Sequence, residues 1–90
     1  MALDPIDVET RIRQFVVSNF LFGDESHALT RVDSLLELGV VDSTGILELV
    51  GFLEQIYQLE IKDDELTPEN LDSIAAATSF VVSKLERAGA

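Results

Sequence analysis

The sequence predicts an all-α fold, a small four-helix bundle with a long loop between its first and second helices. Two observations lead there. Apolar residues recur at helical spacing in three separate stretches, and cap signals open them. No run reads as a strand, because Val40-Val41 is too short to seed a sheet. The ninety residues are expected to form one domain spanning 1–90, without internal repeats or low-complexity tracts.

Asp4-Pro5 is the first helix start, with Asp capping and Pro at the first helical position. Val8, Ile12, Phe15, Val16 and Asn19 follow at helical spacing, all apolar but the last, and the helix should end between Phe20 and Gly23. From Asp24 to Val41 no single period holds. A connection of about 18 residues is longer than most loops, so it is functional or carries a helical turn. Leu29, Val32, Leu35, Leu36, Leu38, Val40 and Val41 are its candidates for pinning to the core.

Asp42-Ser43 opens the second helix, with Ile46, Leu49, Val50, Leu53, Ile56 and Tyr57 as its apolar stripe. Asp63 and Asp64 can cap a short turn, and Thr67-Pro68-Glu69 is a further cap-and-Pro signal. Asn70 or Asp72 then starts the last helix. Its expected core is Ile74, Ala77, Val81 and Leu85, flanked by Ala75, Phe80 and Val82; Lys84 and Arg87 suit the negative end of its dipole.

Composition narrows the function. Hydrophobic residues make up 47% and charged residues 26%, an ordinary globular balance. Seventeen acids against six Lys and Arg give a net charge of −11, which disfavours nucleic acid and anionic lipid and favours partners with basic patches. The start of the chain lacks signal-peptide features, and no apolar run approaches the roughly 20 residues of a membrane span, so a soluble cytoplasmic protein is expected. There is no cysteine and His27 is the only histidine, so no zinc site can be assembled. Asp63-Asp64-Glu65 lacks the ligand spacing of an EF-hand, and neither a phosphate loop nor a nucleophile elbow occurs. Neither catalytic residues nor a metal site is expected.

The informative segment runs from Leu35 to Leu66. Ser43 stands at a helix start behind a Gly-containing loop, where a serine is ordinarily a cap. Asp42 can take that role and leave the Ser43 hydroxyl facing solvent, at a helix end that also favours an attached phosphate. Leu38-Gly39-Val40-Val41-Asp42-Ser43, then Glu48-Leu49-Val50 and Leu53-Glu54, then Tyr57 to Leu66 with Ile61, Asp63 and Glu65 in register, together resemble the acyl carrier protein family. The similarity is strong over about a third of the chain and compatible in helix order over nearly all of it. It implies that Ser43, flanked by Asp42, receives 4′-phosphopantetheine from coenzyme A through a phosphopantetheinyl transferase. The arm's thiol would then carry an acyl or aminoacyl thioester for fatty acid or secondary metabolite biosynthesis. Asp-Ser also occurs at Asp33-Ser34 and Asp72-Ser73, but only Ser43 combines loop, helix start and acidic flanks.

The family most often has Leu after the serine, whereas here Thr44 and Gly45 follow. Asp-Ser-x-Gly is similar to stand-alone carriers that work with AMP-forming ligases, the D-alanyl carriers among them. On the second helix Thr44, Glu48, Gly51 and Gln55 fall opposite the apolar stripe, with Leu47 at the margin and Glu54 flanking. By the resemblance, Thr44, Leu47, Glu48, Gly51 and Glu54 form the docking surface of a monomeric carrier. Its readers would be an AMP-forming acyl or aminoacyl ligase and acyl-transfer enzymes with basic patches. An acidic helical interaction domain without a cofactor shares the same composition and helices; the context of Ser43 separates the two.

Overall fold

The computed structural model describes residues 4–20 and 30–88. Its elements are α1 (Pro5–Phe20), α2 (Ser43–Tyr57), a 3-10 turn (Asp63–Glu65), α3 (Pro68–Leu71) and α4 (Ile74–Ala88). The fold is all-α: four helices, three of them long, no strand among the described residues, and a long connection between α1 and α2. Leu29 and His27 lie outside the described residues, as do positions 21–23, which the sequence marks as the end of the first helix.

Helix α1 begins as its sequence dictates. The Asp4 carboxylate accepts the Ile6 N–H at 3.0 Å, its carbonyl accepts the Val8 N–H at 3.1 Å, and Pro5 needs no partner. Val8, Ile12 and Val16 form the buried stripe, and α1 packs mainly on α4, the first long helix on the last. Phe15 stacks on Phe52 of α2, ring centroids 4.2 Å apart, and meets Phe20 edge-on at 5.8 Å.

In α2 the buried residues are Gly45, Leu49, Val50 and Leu53, so the stripe centres on Leu49 and Leu53 rather than on Ile46, which is half-buried. Ile56 corrects the expectation further. It lies in the last turn, past Leu53, where Tyr57 rather than Ile56 packs against the core, and it is 41% exposed. The helix ends at Gln58 in the left-handed conformation, φ 55°, with the Gln58 amide donating to the Gln55 carbonyl.

The long loop is pinned to the core by Leu and Val side chains as expected, but by only part of the expected set. Leu35 and Val41 enter the core and Val40 packs against it. Val32, Leu36 and Leu38 are exposed instead, because the segment folds into tight turns around Leu35. The Leu35 carbonyl accepts from both Val40 and Val41, and Gly39 supplies the positive φ, 73°, that closes the turn.

The last helix starts later than Asn70 or Asp72. Pro68–Leu71 is a separate single turn, and Ser73 caps α4 by accepting the Ala76 N–H at 3.0 Å. Asp72 is turned toward the loop, and Asn70 donates to the Glu65 carbonyl. Ile74, Ala77, Phe80 and Val81 are buried, while Leu85 packs at the edge. Lys84 does not serve the end of the helix. It reaches across to Glu65 at 2.8 Å and lies over the Phe80 ring.

Candidate functional site

Ser43 is the first residue of α2. Asp42 is the N-cap: its Oδ1 accepts the Gly45 N–H at 2.8 Å and its carbonyl accepts the Ile46 N–H at 3.0 Å. With the cap supplied by its neighbour, Ser43 is exposed, and its hydroxyl bonds to no described residue. The other two Asp-Ser serines are occupied. Ser34 donates to the Asp72 carboxylate and accepts the Glu37 N–H, and Ser73 caps α4.

The glycine two residues after Ser43 is fixed by packing. A Cβ on Gly45 would stand 3.0 Å from a Phe20 ring carbon and 3.1 Å from the Val41 Cβ. The start of α2 therefore lies close against the end of α1 and the end of the loop. In the sequence Gly45 stands only as the last residue of Asp-Ser-x-Gly; the crowding depends on Phe20, twenty-five residues away, which leaves no local signal.

Beside Ser43 opens an apolar cleft of about 250 Å³. Leu36 of the loop forms one side, Ile46 and Leu47 of α2 the second, and Leu66, Pro68 and Leu71 around α3 the third. Leu36 and Leu47 are exposed at 38% and 58%, so the rim is apolar as well. No local sequence signal gathers these residues, since three segments contribute and none reads as a pocket by itself.

The outward face of α2 carries Thr44, Leu47, Glu48, Gly51 and Gln55, with open space over Gly51. Glu54 differs from them. It is half-buried, and its Oε2 accepts the Ile61 N–H at 2.9 Å, tying the end of α2 to the segment that follows. A charge reversal there would disturb the fold as well as the surface.

Asp63 and Asp64 are exposed in the 3-10 turn, and the carboxylate that organises the turn is Glu65. It accepts the Lys62 N–H at 2.9 Å and pairs with Lys84. The Lys62 N–H and then the Lys84 ammonium hold its carboxyl below the usual glutamate range. Among the described residues no three acid or histidine side chains gather to hold a metal ion, and no helix is long and apolar enough to cross a membrane.

An exposed serine at a capped helix start, above an apolar cleft in a four-helix fold, is an arrangement that suits a carrier, and the comparisons with known proteins agree. The chain is 31% identical over 74 residues to the probable acyl carrier protein PigG of Serratia sp. (strain ATCC 39006), covering 82% of this chain and 84% of that protein. The chain belongs to the acyl carrier protein family. Among solved structures it is similar to a chain in a crystal structure of an FAD-dependent dehydrogenase, with TM-score 0.68 and 27% identity, over 78% of this chain and 97% of that one. No protein-family model matches.

Proposed function

We propose that the chain is a carrier that bears 4′-phosphopantetheine on Ser43 and presents a tethered acyl or aminoacyl group to partner enzymes. The observation that carries this reading is the Ser43 hydroxyl, exposed and without a hydrogen bond among the described residues, at the capped start of α2. The residues there fit such a group. Ser43 offers the attachment oxygen, the helix start favours the phosphate, and the cleft from Leu36 to Leu71 offers apolar surface beside it. When bound, the arm supplies a terminal thiol that holds cargo as a thioester. The chain itself contributes no cysteine to compete for that cargo and takes no catalytic part in this reading.

The partners we propose are a phosphopantetheinyl transferase, an AMP-forming acyl or aminoacyl ligase, and acyl-transfer enzymes. They would read Thr44, Leu47, Glu48 and Gly51 on α2, with Glu54 at the edge. Likeness to a chain in a structure of an FAD-dependent dehydrogenase adds an enzyme of that class, acting on tethered cargo, to the candidates. The test is intact-mass analysis after incubation with a phosphopantetheinyl transferase and coenzyme A. The parent should gain one phosphopantetheine, and Ser43→Ala should fold and gain none. A group mapped by peptide analysis to Ser34 or Ser73 would overturn the assignment.

A further inference from the structure

Asp72 is the point at which two walls of the cleft are joined. Its Oδ1 accepts the Leu36 N–H at 2.8 Å, its Oδ2 accepts the Ser34 hydroxyl, and its carbonyl accepts the Leu35 N–H at 2.8 Å. The same Ser34 oxygen accepts the Glu37 N–H at 3.1 Å, so the pull of the carboxylate passes on into the turn. Three residues further on, the Ala75 N–H donates to the Arg31 carbonyl at 2.7 Å and ties the same stretch of loop to α4. The Asp72 N–H closes α3 on the Pro68 carbonyl at 2.9 Å. Leu36 on the loop and Leu71, next to Asp72, are both cleft walls. An exposed loop leucine is thus placed by hydrogen bonds rather than by core packing.

We propose that Asp72 is a positioning residue for the Ser43 site, a clasp that keeps the Ser34–Gly39 turn against the α3–α4 joint so that the cleft stands open beside the attachment serine. The inference rests on the carrier reading above. Asp72 touches neither Ser43 nor the cleft interior; it acts through Leu36 and Leu71. Without the carboxylate, buried Leu35 and the Asp72 carbonyl still hold the base of the turn, but the Leu36 amide and the Ser34 hydroxyl lose their fixed partner, Leu36 loosens toward solvent, and the apolar surface beside Ser43 loses one side.

The test uses protein modified at Ser43 with a coenzyme A analogue that carries a polarity-sensitive fluorescent dye at the end of its arm. Full modification is first checked by intact mass, so failure of the carrier reading appears as an absent mass gain, distinct from any change in emission. In the parent the dye emission is expected to be blue-shifted relative to the free analogue. Asp72→Ala should lose that shift, and hydrogen exchange at the Leu36 amide should quicken while α1 amides keep their protection. Asp72→Asn retains a carbonyl acceptor for Leu36 and an N–H for the Ser34 oxygen, and should restore most of the shift. Ser34→Ala, which leaves the Leu36 bond in place, should lose only part of it and guards against a variant that fails to fold. A fully modified, folded Asp72→Ala protein with parental emission would overturn the proposal. So would a parent without a blue shift, or an Asp72→Asn variant as impaired as Asp72→Ala.

Discussion

Gly45 and Tyr57 show how much single positions carry. At Gly45 a methyl group would already press on Phe20 and Val41, and a branched side chain cannot be seated without moving α2 away from α1. Gly45→Val is expected to cost about 1–3 kcal/mol in urea unfolding, the usual range for overpacking. Tyr57 presents the opposite case. Its hydroxyl is buried and makes no hydrogen bond among the described residues, and burial pushes its pKa above the ordinary 10.0. Tyr57→Phe removes an unsatisfied polar atom and should be neutral or stabilising by up to about 1 kcal/mol. Tyr57 is the only tyrosine and there is no tryptophan, so an ultraviolet absorbance titration reads this one phenol. It should ionise later in the folded protein than in urea. A raised folded value means its contribution is intact below 10.0 and is lost as pH climbs through the folded value.

Among elements, the 3-10 turn depends on one carboxylate. Glu65 is held below its ordinary 4.5, so its contribution is complete above that pH and disappears as pH falls through the lower folded value. Glu65→Gln should therefore flatten the acid limb of a stability-against-pH curve as pH falls below 4.5, read by circular dichroism. On α2, Glu48 is exposed, so Glu48→Lys should not lower the melting temperature. It should slow modification or loading by an enzyme with a basic face, and the gap should narrow as salt rises. Equal rates at low salt would remove Glu48 from the docking surface. The long helices were legible because Val8, Ile12 and Val16, and likewise Leu49 and Leu53, repeat at the spacing that packing demands. The separation of α3 from α4 was not, since Asp72 reads locally as a cap and is claimed by Ser34 and Leu36, 38 and 36 residues away. The site divides in the same way. Asp42 and Ser43 were readable as a cap followed by a free hydroxyl, whereas the cleft needs Leu36, Leu47 and Leu71 to meet from three segments.

Across the whole molecule, a net charge of −11 on ninety residues sets a background of self-repulsion. From Val32 to Ile61 there are six acids and no Lys or Arg, so the repulsion concentrates around α2 and the loops beside it. Moderate salt should raise the melting temperature through diffuse screening. Sodium and calcium at matched ionic strength should differ little, and a calcium-specific rise saturating at one ion per protein would contradict this. The pairing of α1 with α4 has a consequence for how the chain comes into being. Val8, Ile12 and Val16 leave the ribosome well before Ile74, Ala77 and Val81, the core residues of the helix that α1 packs on. Contacts this far apart in sequence carry the largest loop-closure cost and form late. A nascent chain halted before Ile74 lacks the helix that α1 packs on, so it is expected to hold no closed core. The core is therefore expected to close only once α4 has been made.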